Sequence, residues 1–147
     1  MNTLYSEIRD YARGRLRPLG YTEWEDALNF ENIPRTRLDR AFHLGSMNAT
    51  TLQLNNDNSY DRVTFELSLF YKGFRSTGES MDRVQGFMDD VYKSFMEPKN
   101  RFTQRNVKNL SLQNSFIDPL PTNDNFFRAV MNFNFDVIVE MIGEGYN

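Results

Sequence analysis

Along the first twenty positions, Leu4, Ile8, Tyr11, Ala12, Leu16 and Leu19 recur at three- and four-residue spacing, the pattern of one helix face. Asn2 or Thr3 can cap the start and Gly20 follows as a stop signal, so the spacing predicts an amphipathic first helix. Its opposite face carries Glu7, Arg9, Asp10, Arg13, Arg15 and Arg17, while Gly14 and Pro18 weaken the last turn. From Tyr21 to Asp39 the periodicity fades into a long, ordered connection. Within it the capping-box spelling Thr22-Glu-Trp-Glu25 predicts one short helix.

Alternation then replaces the helical period. Phe42 and Leu44, then Leu52 and Leu54, hold one parity across Gly45-Ser46, which is either a bulge or a turn. Val63, Phe65, Leu67, Leu69 and Tyr71 alternate strictly with Arg62, Thr64, Glu66, Ser68 and Lys72, and Phe70 alone breaks the rule. Between these strands, 55–61 reads as a polar hairpin loop whose Asn and Asp side chains bond to their own backbone. Ser76-Thr-Gly-Glu79 spells a capping box, and Met81, Val84, Met88, Val91 and Phe95 follow at helical spacing until Glu97-Pro98, predicting a helix of about 18 residues. Two strands close the chain: Val107 to Ile117, and a second that places Phe127, Ala129, Met131, Phe133, Phe135, Val137, Val139 and Met141 on one face. Residues 143–147 read as a fraying tail.

The predicted order is helix, two strands, helix, two strands, within one domain over 1–147 and without internal repeats. Each strand has one apolar face to bury, so the expected fold is α+β: a single sheet, mostly antiparallel or mixed, packed against two helices. The other sheet face is solvated or meets a partner.

Composition narrows the chemistry. Zero cysteines exclude disulfides, thiolate zinc sites and cysteine catalysis, and a single histidine leaves little for a triad or a histidine-rich metal centre. No run approaches the roughly 18 apolar residues of a membrane span. The first residues mix charge into what a secretory signal would keep apolar, so the chain is expected in the cytoplasm. A net charge of -3 argues against a dedicated nucleic-acid binder. Aromatic residues make 14% of the chain, a supply of large side chains for a core and of anchors for interfaces. Among 17 basic residues 13 are Arg, which suits interfaces because guanidinium is weakly hydrated and pairs bidentately, although codon bias gives the same count.

Individual motifs are weak. Asp57-Asn-Ser-Tyr-Asp61 begins like a calcium loop, but Arg62 replaces the required Gly and Ser68 the required Glu. His43 lies between apolar neighbours with no triad or His-x-x-x-His spacing around it and reads as structural or solvent-facing. The sequons at Asn48 and Asn109 matter only in a secretory pathway. Neither a P-loop nor a dinucleotide fingerprint is present, and Asp89 and Asp90 point to different sides of their helix. No metal, cofactor or catalytic residue is expected. Residues 99–108 carry Lys99, Arg101, Arg105 and Lys108 with no acid, whereas 55–61 and 118–124 carry Asp57, Asp61, Asp118 and Asp124 with no base. In a monomer this is solvation; in a head-to-tail ring such opposite charges set the register between neighbours, which makes Arg101 and Arg105 interface candidates.

Phe30-Glu-Asn-Ile-Pro34, continuing through Leu38-Asp-Arg-Ala-Phe-His-Leu44, resembles a run in the head-to-tail joining and tail-completion proteins of long-tailed bacteriophages. Asn32, Ile33, Pro34, Asp39, Phe42 and His43 carry that likeness, and the element order is similar to that of their tail terminators. The resemblance implies a structural virion protein of the tail or neck: a hexameric ring of identical copies that caps the tail tube, stops its polymerisation and meets the head connector or stopper. It implies partners in the major tail tube protein and the connector, and DNA passing through without specific binding. An acidic lumen suits that passage because basic groups would gain affinity from every phosphate, which makes Asp57 and Asp61 lumen candidates. Asn32, Ile33 and Pro34 are first assigned to fixing the chain's approach to the sheet, and Arg35, Arg37 and Arg40 to an interface. A head-completion or connector protein remains open within this class. From other classes, so do a small ligand-binding α+β domain and, third, an enzyme working with carboxylates and tyrosines.

Overall fold

The computed structural model describes residues 2–24, 40–54, 58–72, 77–97, 106–119 and 126–140. Helix α1 runs over Asn2–Leu16 and buries Leu4, Ile8, Tyr11, Ala12 and Leu16, the stripe set by their spacing. It tightens into a 3-10 turn at Arg17–Leu19, where Pro18 fits the first turn, and stops at Gly20. That glycine has φ +92°, and its N–H donates to the Arg17 carbonyl at 3.0 Å, the left-handed cap for which glycine is suited. The chain then forms β1, Thr22–Glu23, so the capping-box spelling does not open a helix at Thr22; the rest of that stretch, 25–39, lies outside the described residues. The capping-box spelling loses because Thr22 and Glu23 pair in parallel with Ala41 and Phe42, and pairing with a sheet satisfies backbone groups that a short isolated helix would leave to water. Glu23 is then held by Arg13, with Nε and Nη2 donating at 2.9 and 3.2 Å.

Strands β2 (Ala41–Leu54) and β3 (Asn58–Lys72) form an antiparallel hairpin, α2 spans Thr77–Met96, and β4 (Asn106–Pro119) and β5 (Phe126–Glu140) form a second hairpin. The five strands make one mixed sheet in the order β1-β2-β3-β5-β4. β3 and β5 lie at its centre and pair from Asn58 opposite Glu140 to Lys72 opposite Phe126. Gly45-Ser46 proves to be a bulge within one continuous strand, because the register shifts between Leu44 and Met47. A Cβ on Gly45 would lie 2.9 Å from the Glu66 carbonyl oxygen, so the strands approach there as only glycine allows.

One face of the sheet meets both helices. Val63, Phe65, Leu67, Leu69 and Tyr71 of β3, and Phe127, Ala129, Met131, Phe133, Phe135 and Val137 of β5, join Val84, Met88, Val91 and Phe95 of α2 and the α1 stripe in a single core. Aromatic contacts tie the layers: Phe95 stacks on Phe133 at 4.5 Å, and Tyr11 meets Phe95 and Phe135 edge-on. Tyr11 Oη donates to the Phe95 carbonyl at 2.6 Å and Ser94 Oγ to the Arg15 carbonyl at 3.3 Å, joining α1 to α2. At the other edge of the core the Tyr21 and Tyr71 hydroxyls lie 2.5 Å apart. Burial, then the neighbouring Tyr21, push the Tyr71 phenol pKa well above its ordinary value.

The opposite face is not uniformly solvated. Ala41, Ser68, Phe70 and Val130 are buried on it at one end, which accounts for Phe70 as the exception to the alternation of β3. Among the described residues no helix is long and apolar enough to cross a membrane.

Candidate interaction surface

Of the residues singled out in the sequence, Asn32, Ile33, Pro34, Arg35, Arg37, Asp39, Asp57, Arg101 and Arg105 lie outside the described residues, as does Ser76 of the capping box. The others can be placed. Phe42 is a fully buried core residue, and its carbonyl accepts from the Trp24 N–H at 2.6 Å. His43 is half-buried and its Nδ1 lies 2.9 Å from the Trp24 carbonyl oxygen, to which Nδ1–H donates. This is a structural role, clamping β2 to the chain that follows β1.

Arg40, assigned to an interface, makes its described contacts within the chain. It precedes β2 with φ +56°, its Nη1 donates to the Leu19 carbonyl at 3.2 Å, and its guanidinium stacks 4.6 Å from the Phe87 ring centroid. Both the charge and the plane of the guanidinium are engaged within the chain. Asp61 departs from its lumen assignment. It lies within β3 opposite Thr51 and Val137, on the face shared with Val63, and none of it reaches solvent. The polar run that read as a loop through residue 61 becomes strand at Asn58, because pairing with β5 satisfies its backbone and Ser59 Oγ donates to the Asp61 carboxylate.

The outer face beyond the buried patch is a ladder of cross-strand polar pairs. Arg62 binds Asp136 bidentately, Nε and Nη2 donating at 2.8 and 3.0 Å, and hydrogen bonding to that carboxylate holds the Arg62 pKa above its ordinary value. Thr64 Oγ1 donates to Asn134 at 2.9 Å, and Asn132 to Asn114 at 2.6 Å. Arg128 donates to Ser68 at 3.2 Å and lies 3.8 Å from Glu66. The basic groups are thus matched with acceptors, and this face offers directional hydrogen bonds and little net charge.

The edges of the sheet differ from its centre. β1 covers only Ala41 and Phe42, so among the described residues the outward side of β2 has no strand partner beyond them. There Asn48 to Leu54 are all exposed, including Leu52 at 44% and Leu54 at 64%. The segment from Met47 to Leu54 contains neither a charge nor a proline, two of the devices by which edges resist pairing. Its bulges leave a regularly paired run from Met47 to Thr51. β4 forms the other edge, and beside it opens a groove of about 480 Å³. Gln85, Met88, Asp89 and Tyr92 of α2 form one wall, Leu110, Leu112 and Ser115 of β4 the other, and Met131 the floor. Helix, edge strand and the groove between them match the arrangement by which an added strand is received in β-augmentation.

Sequence patterning assigned the groove residues to helix and strand without bringing them together, and it assigned Leu52 and Leu54 to a buried face. The available signal was their neighbourhood: Ala49 and Thr51, small or polar, occupy the core-facing positions just before them. Among the described residues no three His, Cys, Asp or Glu side chains converge as a metal site. Compared with known protein families and curated proteins, the chain matches no family model and no curated sequence.

Proposed function

We propose that the chain is a structural protein of the neck of a long-tailed phage, acting by ring assembly and without catalysis. In this reading copies close into a ring, a hexamer in the family it resembles. The ring caps the tail tube, ends polymerisation of the tube protein and meets the head connector, with DNA passing through unbound. The supporting observation is the pair of unlike edges: among the described residues, one side of the sheet ends in an uncharged stretch of β2 without a strand partner and the other in β4 with its groove. Two different, mutually compatible surfaces on one chain are what a heterologous interface needs, and a heterologous interface whose rotation closes makes a ring. The matched state of Arg62 and Arg128 agrees with DNA passage, since little unpaired positive charge is left on that face for phosphate. The Asn32-Ile33-Pro34 resemblance supplies the phage context.

Light scattering coupled to size exclusion tests this, with and without the major tail tube protein. A mass near a closed ring, together with tubes that stop growing when the protein is added, is the expected result. A single-chain mass at every concentration and unchanged tube growth overturns it. The groove's volume falls in the range of small-ligand sites and favours a second reading, a ligand-binding α+β domain, which that outcome would support.

A further inference from the structure

We infer that the groove between α2 and β4 receives the Met47–Leu54 edge strand of a neighbouring copy, added antiparallel to β4. This rests on the ring reading and names the contact that builds the ring.

Strand direction comes first. β2 is antiparallel to β3, β3 to β5 and β5 to β4, so β2 and β4 run in opposite directions. A rotation about an axis along the strands leaves directions unchanged, so it can set the β2 of one copy beside the β4 of the next as an antiparallel pair, and the same operation repeats around a ring.

Side chains agree. Ala49, Thr51 and Leu54 share the helix-side face of β2, opposite Val63, Asp61 and Ser59, yet all three are exposed in the single chain. Docked on β4 they face the groove: the small Ala49 and Thr51 fit beneath α2, and Leu54 meets the partly exposed Leu112. On the outer face Asn48 and Thr50 continue the polar rows that end at Ser111 and Asn114. Charge is compatible as well. The incoming segment has no ionisable group, so nothing in it opposes Asp89 at the groove wall or enters the groove as an unpaired ion.

The absence of native cysteine makes the test direct. Donor variants Ala49→Cys and Thr51→Cys are mixed pairwise with acceptor variants Ser111→Cys, Gln113→Cys and Ser115→Cys under ring-forming conditions, with tube protein present, and then oxidised. The expected result is a covalent dimer in at least one donor–acceptor mixture and none from a single variant alone. In parallel, the Leu52→Glu/Leu54→Glu double variant keeps the circular dichroism and unfolding curve of the parent but shifts from ring mass to single-chain mass. Rings that form without any donor–acceptor cross-link, or that survive the double substitution, overturn the groove assignment and leave the ring reading standing. Cross-linking of one variant to itself marks two-fold edge pairing and also overturns it. A single-chain mass for the parent protein, even with tube protein, removes the ring reading itself.

Discussion

The segments Val63–Tyr71 of β3 and Asn48–Leu54 of β2 belong to the same hairpin, yet they have opposite fates. In β3 every second residue from Val63 to Tyr71 is fully buried, whereas in β2 all of 48–54 is exposed, leucines included. Alternation marks an extended strand, and it says nothing of what lies above that strand. Strands and helices also differ in length. β3 has 15 residues and extends about 50 Å at roughly 3.4 Å per residue. The helices have 15 and 20 residues and reach only about 22 and 30 Å at 1.5 Å each. Yet Ser59 and Asp61 at the far end of β3 are buried while Leu54 and Thr51 opposite them are exposed, so among the described residues cover is concentrated on the central strands and leaves this end of the β2 edge open.

The largest test of this contrast is Phe133→Ala. Phe133 is fully buried and stacked on Phe95, and its truncation is expected to cost about 3–5 kcal/mol in urea unfolding. Gly45→Ala comes next: with the added methyl forced to 2.9 Å from a backbone oxygen of β3, about 1–3 kcal/mol is expected to be lost, mostly at the junction between the two regions. No penalty would mean that the bulge can open.

Tyr71→Phe probes the core through pH. The folded state holds the Tyr71 proton above the ordinary phenol value, so the folded chain binds more protons than the unfolded one once pH exceeds about 10. Stability is therefore full below that pH and falls above it, by up to about 1.4 kcal/mol per pH unit. The variant should lose that slope, and an unchanged slope would assign it to another group. Smaller still is Glu23→Gln, which weakens the pairing with Arg13 across the start of the sheet and is expected to cost about 0.2–1 kcal/mol, less at high salt. Smallest is Leu54→Ala, expected within about 0.5 kcal/mol for the isolated chain. A cost approaching that of Phe133→Ala would show that the distal edge is covered in solution, and would erase the contrast.

Most of the fold was legible because its signals are local. The α1 stripe, the α2 stripe ending at Phe95 and the shared face of Phe127 to Val137 all follow from one period each. Misreadings occurred where a residue's partner is distant in sequence. Thr22 and Glu23 follow Ala41 and Phe42 into a sheet, and Asp61 is drawn into a strand by β5. The groove has the same origin, because Met88 and Leu112 meet only after α2 folds back over β4.

The sequence by itself determined the two long helices and the body of the four long strands, and which face of the helices and central strands is apolar, since these depend on side chains a few positions apart. Only the tertiary structure decided the order β1-β2-β3-β5-β4, the burial of Asp61, the exposure of Leu52 and Leu54, and the groove beside β4. Burial depends on which surface two distant elements bring together, and a periodic pattern gives the direction of a side chain without naming what it will meet.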